Sequence, residues 1–297
     1  MKSIQCLCLL IGCLCVCIGR TQAQTFLIPS AVNPAAEADL LRPNLSLQAY
    51  HQAAGVSGSE KGGTLNVGIP VNYGHNRRDG RYLFVGLTLD DRLLNLTNDL
   101  TGLLRYAMRF QVGAKLFLSG GLAAGLDYTH VAVNRLIEDG GHDPALSDVR
   151  PNSLRFAGQT GLQLHNDRFA VGLFGGFPYD DSHIGMNARF RTDPEKKFTF
   201  ELYAYGYYHF ARRRWLGDFY IQGLIGKSLG IGIGYNTDNY LQAIASLSIK
   251  GALRIGYACG FYNFSTGKAG INTLQHNITL GMTFRSRADR ENDNYKY

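Results

Sequence analysis

From Leu65 almost to the C-terminus, apolar residues alternate with polar or small ones in segments of about ten residues, the length that crosses a membrane as a β-strand. One late segment places on one face Leu253, Ile255, Tyr257, Cys259 and Phe261, and on the other Arg254, Gly256, Ala258, Gly260 and Tyr262. The segment from Leu274 to Phe284 repeats the pattern. Because successive strand side chains point to opposite faces, each segment meets two environments. The pattern predicts an all-β transmembrane barrel with its apolar face in lipid.

The N-terminus has the pattern of a secretory signal. Residues 1–23 carry Lys2, an apolar run from Leu7 to Ile18, and a small-residue end at Ala23, which predicts cleavage before Gln24. A lipoprotein signal ending at Cys13 is the less favoured alternative, because the apolar run continues past that cysteine. After residue 23 no apolar run approaches the roughly 18 residues of a spanning helix. We therefore expect an exported chain that is either soluble or a barrel.

Composition excludes several classes of protein. Five of the six cysteines lie in the predicted signal, so Cys259 is alone in the mature chain and no intramolecular disulfide can form. We interpret it as a small apolar-face residue rather than a nucleophile. Loss of Lys2 and Arg20 lowers the net charge from +7 to +5, and the basic residues are scattered, which gives nucleic-acid binding little support. The 36 glycines, 17 tyrosines and 16 phenylalanines favour a curved, lipid-bound sheet.

About fourteen antiparallel strands are predicted between residues 44 and 285. In the middle of the chain the predicted strands include 103–118 and 120–133. The tight turns fall on one side of the barrel if the N-terminus is periplasmic: Ser119-Gly120, Asn166-Asp167, Lys227-Ser228 and Lys250-Gly251. The long connectors fall on the other side, at Arg92 to Gly102 and Asn134 to Asn152. We expect these two connectors to be outer loops.

The alternation also assigns side chains to the lumen. In the predicted fourth strand Tyr106, Met108 and Phe110 face lipid, whereas the inward set comprises Arg105, Arg109, Gln111 and Lys115. In the ninth strand, Phe198 and Phe200 face outward and Glu201 and three tyrosines inward. Inward charges are expected because a charge facing lipid is costly. A filled interior and an open channel are both compatible with this set.

No residue pattern identifies an enzyme, a metal site or a cofactor site. His142-Asp143 lies among acidic residues of a predicted loop without ligand spacing, and Ser182-His183 and His209 have no identifiable triad partners. The run from Gly230 to Gly234 lacks the helix that a phosphate loop requires. We expect a non-enzymatic protein without a cofactor or metal.

Three passages together resemble the PorP/SprF family of outer-membrane proteins, associated with type IX secretion in Bacteroidetes. The first is Asn33-Pro34-Ala35, after the signal. The second pairs the glycine-rich Leu229–Tyr235 with a later strand that holds Gly256 and Tyr257, and the third runs from His276 to Phe284. Asn277 stands where the family usually has Glu, and Glu37 where a small residue is commoner, which indicates a divergent member.

The resemblance implies a barrel that binds type IX secretion components, or that anchors a large secreted protein through its C-terminal sorting domain. We predict four regions: a signal peptide (1–23), an N-terminal segment (24–43), the barrel in outer-membrane lipid (44–285) and a charged tail (286–297). The resemblance implies that the segment 24–43 is periplasmic and faces the secretion machinery. Asn33-Pro34 fits equally a simple turn at the start of the barrel. The rival function is a porin or small-solute transporter with an anion-attracting lumen lined by Arg105, Arg109, Lys115 and Arg254.

Overall fold

A computed structural model of the chain describes residues 32–39, 43–54, 59–71, 82–132, 152–177, 182–193, 196–211, 213–226, 228–237, 240–249, 252–262 and 274–284. A 3₁₀ helix, Pro34–Asp39, precedes the strands. The strands are β1 Asn44–Ala54, β2 Lys61–Val71, β3 Tyr82–Leu94, β4 Thr97–Gln111, β5 Phe117–Val131, β6 Asn152–His165, β7 Phe169–Phe177, β8 His183–Arg191, β9 Phe198–His209, β10 Arg214–Ile225, β11 Leu229–Asn236, β12 Tyr240–Ile249, β13 Leu253–Tyr262 and β14 Leu274–Thr283.

These strands form one closed antiparallel barrel in which each strand pairs with its sequence neighbours and β14 pairs with β1. The closing ladder runs from Asn44 opposite Thr283 to His51 opposite His276, with an irregularity before Ala54. Beyond it, the Phe284 amide donates a hydrogen bond to the Pro43 carbonyl at 2.8 Å. We call the end that holds Asn44 and Thr283 the terminal end, and the opposite end the loop end. The predicted count of fourteen strands is confirmed.

The predicted alternation of faces is also confirmed. On β4, Leu104 is 68% exposed, whereas the neighbouring Arg105 is 2% exposed. The same contrast holds on β14, where Ile278 is exposed and Asn277 is buried. Because every strand has both neighbours, the exposed side chains form the outer wall and the buried polar ones line the lumen. An outer wall this rich in exposed Leu, Ile and Phe is the lipid-facing surface of a membrane barrel.

The prediction of one strand over residues 103–118 was wrong. The chain turns between Gln111 and Phe117, and Ser119-Gly120, expected to be a turn, lies inside β5. The sequence hid this turn because even-numbered residues face outward on both β4 and β5, so the alternation runs through it unbroken. Gln111 and Lys115, predicted to face the lumen, are exposed at this turn.

The predicted outer loop from Arg92 to Gly102 was also wrong. There β3 and β4 form a hairpin whose ladder continues to Leu94 opposite Thr97. Asn95 takes a φ of 54°, a left-handed conformation that Asn tolerates better than most residues. The turns expected near Asn166 and Ser228 are confirmed, since β6 ends at His165 and β10 at Ile225, and three residues separate each of them from the next strand. The second predicted outer loop ran from Asn134 to Asn152. Residues 134–151 lie outside the described residues, and Asn152 is the first residue of β6.

Candidate functional site

The side chain of Asn33 is fully buried on the inner side of the barrel wall. Its Nδ2 donates to Oδ1 of Asn187 on β8 at 2.8 Å and lies 3.5 Å from the Leu162 carbonyl on β6. Its Oδ1 accepts a hydrogen bond from the Ala35 amide at 3.0 Å, and its carbonyl accepts one from the Ala36 amide at 2.9 Å. The side chain thus caps the 3₁₀ helix and ties it to two strands.

Pro34 occupies the first position of the helix, where its missing N–H costs nothing. Ala35 is fully buried and Ala36 nearly so. The helix packs against the inner faces of β3 to β7. Before it, Val32 packs against a buried cluster of the far strands that comprises Tyr203, Tyr205, Tyr220, Ile244 and Ala258. We call residues 32–36 the lumenal segment.

Three glycines on neighbouring strands form the seat of the lumenal segment. A Cβ on Gly121 of β5 would collide with the backbone of Pro34 and Ala35, and one on Gly161 of β6 would collide with Asn33 Oδ1. A Cβ on Gly172 of β7 would lie 2.6 Å from Asn33 Nδ2 and 2.6 Å from Asn187 Oδ1. Since real Cβ atoms do not approach so closely, any larger residue would displace the segment.

The structure therefore gives the Asn33-Pro34 motif a position that the sequence did not predict. We expected a periplasmic segment or a turn at the start of the barrel, and the lumenal segment instead lies against the inner wall. Sequence reasoning missed Gly121, Gly161, Gly172 and Asn187, and no local signal marks them among 36 glycines and many strand polar residues. Their role appears only when the strands close around the segment.

Two lumenal arginines, Arg105 and Arg109, contact the wall. One guanidinium nitrogen of Arg105 lies 3.2 Å from the Val67 carbonyl and 3.5 Å from the Leu87 carbonyl, in space left open by Gly86. The Arg109 guanidinium lies 3.7 Å from the centre of the Phe117 ring, a cation–π contact. With Lys115 exposed at a turn, the anion-attracting set expected for a porin loses one member, and two others have partners in the wall.

Further lumenal charges pair between neighbouring strands. Arg191 lies 2.6 Å from Glu201, Arg92 lies 3.0 Å from Glu60, and Arg155 lies 3.5 Å from Asp127. Thr101 also donates to Asp127 at 2.8 Å. The pair with Arg191 satisfies the buried carboxylate of Glu201, which would otherwise be costly. Together the three pairs cross-link neighbouring parts of the inner wall.

The other residues of the predicted family motif lie on β13, on β14 and directly after β14. Gly256 faces the lumen, whereas Tyr257 and His276 share the outer wall, where the Tyr257 hydroxyl lies 2.8 Å from His276 Nδ1. Phe284 is half exposed beside Pro43. The structure thus brings Tyr257 and His276 together, Phe284 next to the first strand, and Asn33 with Pro34 to a separate place in the lumen.

In the part of the chain that the structure describes, no group of three or more His, Cys, Asp or Glu side chains is arranged to hold a metal ion. His142 and Asp143 lie outside that part. His183 packs on Phe174 and Tyr207, with ring centres 5.9 and 5.5 Å apart. Cys259 is partly exposed on the outer wall, which is the face to which the predicted alternation assigns it. No helix among the described residues is long and apolar enough to cross a membrane.

A family model described as "Type IX secretion system membrane protein PorP/SprF" matches residues 21–211. No curated protein matches the sequence.

Among solved structures, the Acinetobacter baumannii outer membrane protein Omp33 aligns over 82% of this chain and 98% of its own, with 8% identity and a TM-score of 0.49. The CymD monoaromatic hydrocarbon channel aligns over 91% and 95%, with 12% identity and a TM-score of 0.46. The Ralstonia pickettii toluene transporter TbuX aligns over 85% and 92%, with 9% identity and a TM-score of 0.47. Scores this low say nothing about what this chain binds.

Proposed function

Because this chain belongs to the PorP/SprF family of type IX secretion system membrane proteins, we propose that it acts by binding proteins rather than by catalysis. Its partners are components of the secretion apparatus or a large exported protein that it anchors at the surface through a C-terminal sorting domain. The barrel, with its apolar outer wall, is an outer-membrane barrel. The loop end, opposite the terminal end, is the surface that we expect outside the cell.

The observation that favours a binding role over a permeating one is the lumenal segment. A porin requires a continuous aqueous path through the barrel. Here residues 32–36 lie in the lumen against the wall. They are held by the hydrogen bonds of Asn33 and by three glycines whose positions leave no room for a Cβ atom. Elsewhere on the inner wall, Arg191 pairs with Glu201, and Gln222 donates a hydrogen bond to Ser246. The barrel is therefore suited to present its ends to other proteins.

Two measurements on the native protein test this proposal. Affinity purification from its own membranes in mild detergent should recover type IX secretion components or an exported protein with a sorting domain. The purified barrel in planar bilayers should show no stable ion-selective openings. Recovery of no secretion component, combined with stable openings, would instead establish the porin.

A further inference from the structure

The outer wall carries two polar rings among apolar, lipid-facing neighbours. Tyr257 is the fifth of the ten residues of β13, and His276 lies on the neighbouring β14, which also has ten residues. A strand of about 9–11 residues crosses the hydrocarbon of a membrane, so both rings lie within it. Two residues away on the same face, Ile255 of β13 and Ile278 of β14 are exposed apolar residues. We call Tyr257 and His276 the polar pair.

The two rings of the polar pair bind each other and stay open to the outside. The Tyr257 hydroxyl lies 2.8 Å from His276 Nδ1, and the rings stack with their centres 6.2 Å apart. Tyr257 is nevertheless 41% exposed. On the β12 side, Ala245 stands opposite Tyr257 in the ladder and Ala243 opposite Cys259, and both alanines face outward. Because these side chains are small, the polar pair stands above the surface, where a second molecule can reach it.

The bond between the two rings leaves one donor and one acceptor, whichever nitrogen of His276 carries the proton. If the hydroxyl donates to Nδ1, then Nε2 can donate and the Tyr257 oxygen can accept. If Nδ1 donates to the Tyr257 oxygen, then Nε2 can accept and the hydroxyl can donate. In the part of the chain that the structure describes, the further polar neighbour of the pair is the Cys259 thiol, a weak hydrogen-bonding group beside Tyr257. One conventional donor and one conventional acceptor therefore remain on the lipid-facing surface.

Lipid tails offer nothing to these two groups, whereas a second copy of the same pair matches both. Polar groups without hydrogen bonds are costly in hydrocarbon, and ionisable residues within a membrane face other protein or water. A twofold axis along the membrane normal relates two copies and keeps every residue at its own depth. When this axis passes beside the polar pair, His276 of each copy meets Tyr257 of the other. The donor of one copy then binds the acceptor of its partner, and the same bond forms twice.

We propose that the polar pair is the centre of an interface between two copies of this chain in the membrane, formed by the outer faces of β12, β13 and β14. Ile255 and Ile278 surround the hydrogen bonds in this interface and exclude lipid from them. The inference goes beyond the proposed function and does not depend on it, because the two ends of the barrel, where we expect other proteins to bind, lie outside the interface.

Photo-crosslinking in the native membrane tests the interface. Full-length copies with two different C-terminal affinity tags are produced together, and Phe261, exposed on the outer face of β13, is replaced by p-benzoylphenylalanine. Irradiation should yield a dimer that carries both tags, cross-linked to β12, β13 or β14 of the second copy. Phe156 is the matched control, because it is also exposed and lies on β6, halfway round the barrel. The same replacement there should yield no species with both tags.

Three outcomes of this experiment would overturn the proposal. From position 261 they are cross-links to lipid alone and cross-links to a different protein. The third is a dimer with both tags formed equally well from position 156, since this would indicate crowding rather than a defined interface.

Removal of the hydrogen-bonding groups supplies a second readout. Tyr257→Phe with His276→Phe keeps two aromatic rings and removes the donor and the acceptor. The yield of the dimer with both tags should fall about tenfold, the loss expected for two hydrogen bonds within a membrane. Tyr106→Phe removes a hydroxyl of similar exposure from the outer face of β4 and should leave the yield unchanged. Gel mobility in unheated detergent shows whether each barrel is folded. A folded double variant that dimerises like the wild type would contradict the proposal, and if that variant does not fold, the cross-links from positions 261 and 156 decide.

Discussion

Asn33 and Asn187 lie 154 residues apart in the chain, and their side chains are joined by a hydrogen bond of 2.8 Å inside the barrel. Both are buried, and the glycines around them leave no room for a Cβ. This bond connects the N-terminal motif to the middle of the sheet. It makes the position of the lumenal segment dependent on a strand that is synthesised much later.

Asn33→Ala should release the lumenal segment. The substitution removes the bond to Asn187 and the cap on the Ala35 amide, and leaves a buried amide unsatisfied at a cost of about 1–3 kcal/mol. Limited proteolysis of the folded barrel should then cut between residues 32 and 39, where the wild type resists. Asn66→Ala is the control, because Asn66 is equally buried but bonds to Thr88 away from the segment. Equal protection in both variants would contradict the prediction.

Gly161→Ala should have the same effect from the wall side. The new methyl group would collide with Asn33 Oδ1, so the segment must move although its own sequence is intact. Gly120→Ala is the matched control, since its Cβ would face outward and lie 3.6 Å from the nearest atom, a Leu162 methyl. Hydrogen exchange of residues 32–36 should rise only in the first variant. An unchanged rate there would mean that the seat is not tight.

Truncation from the C-terminus should leave the barrel folded when it stops after Phe284 and unfold it when it also removes Thr283 and Phe284. Removal of residues 285–297 keeps the Phe284 amide bonded to Pro43 and the Thr283 amide bonded to Ala252. Removal of residues 283–297 deletes both bonds, one to the residue before β1 and one to the residue before β13. The first variant should keep the gel mobility of a folded barrel in unheated detergent, and the second should lose it in most molecules. Loss in both would assign a structural role to the charged tail.

Tyr257→Phe should weaken the outer wall between β13 and β14. It removes the hydroxyl that lies 2.8 Å from His276 Nδ1 on the lipid-facing surface, at an expected cost of about 1 kcal/mol in the free energy of unfolding. Urea unfolding of the barrel in lipid vesicles measures this cost. Tyr106→Phe, on the same wall at similar exposure, should cost much less. A double-mutant cycle with His276→Phe should show coupling between the two residues.

The strand count and the faces of the strands were predictable because a barrel imposes one rule on every strand. Each strand places one face in lipid and the other in the lumen, so the alternation of β13 and β14 could be seen residue by residue. The same rule failed at the turn Val112–Leu116. Even-numbered residues face outward on the strands before and after this turn, so the alternation continues through it without a break. It failed again at Arg92–Gly102, where polar side chains lie on a hairpin that extends the sheet.

The sequence by itself determined the alternation, the number of strands and the motif at Asn33-Pro34, because these depend on neighbouring residues. The tertiary structure alone decided where that motif binds. The seat combines Gly121, Gly161, Gly172 and Asn187 from four strands, and only closure of the barrel brings them together. Contacts between distant residues depend on the register of the whole sheet, which no local pattern specifies.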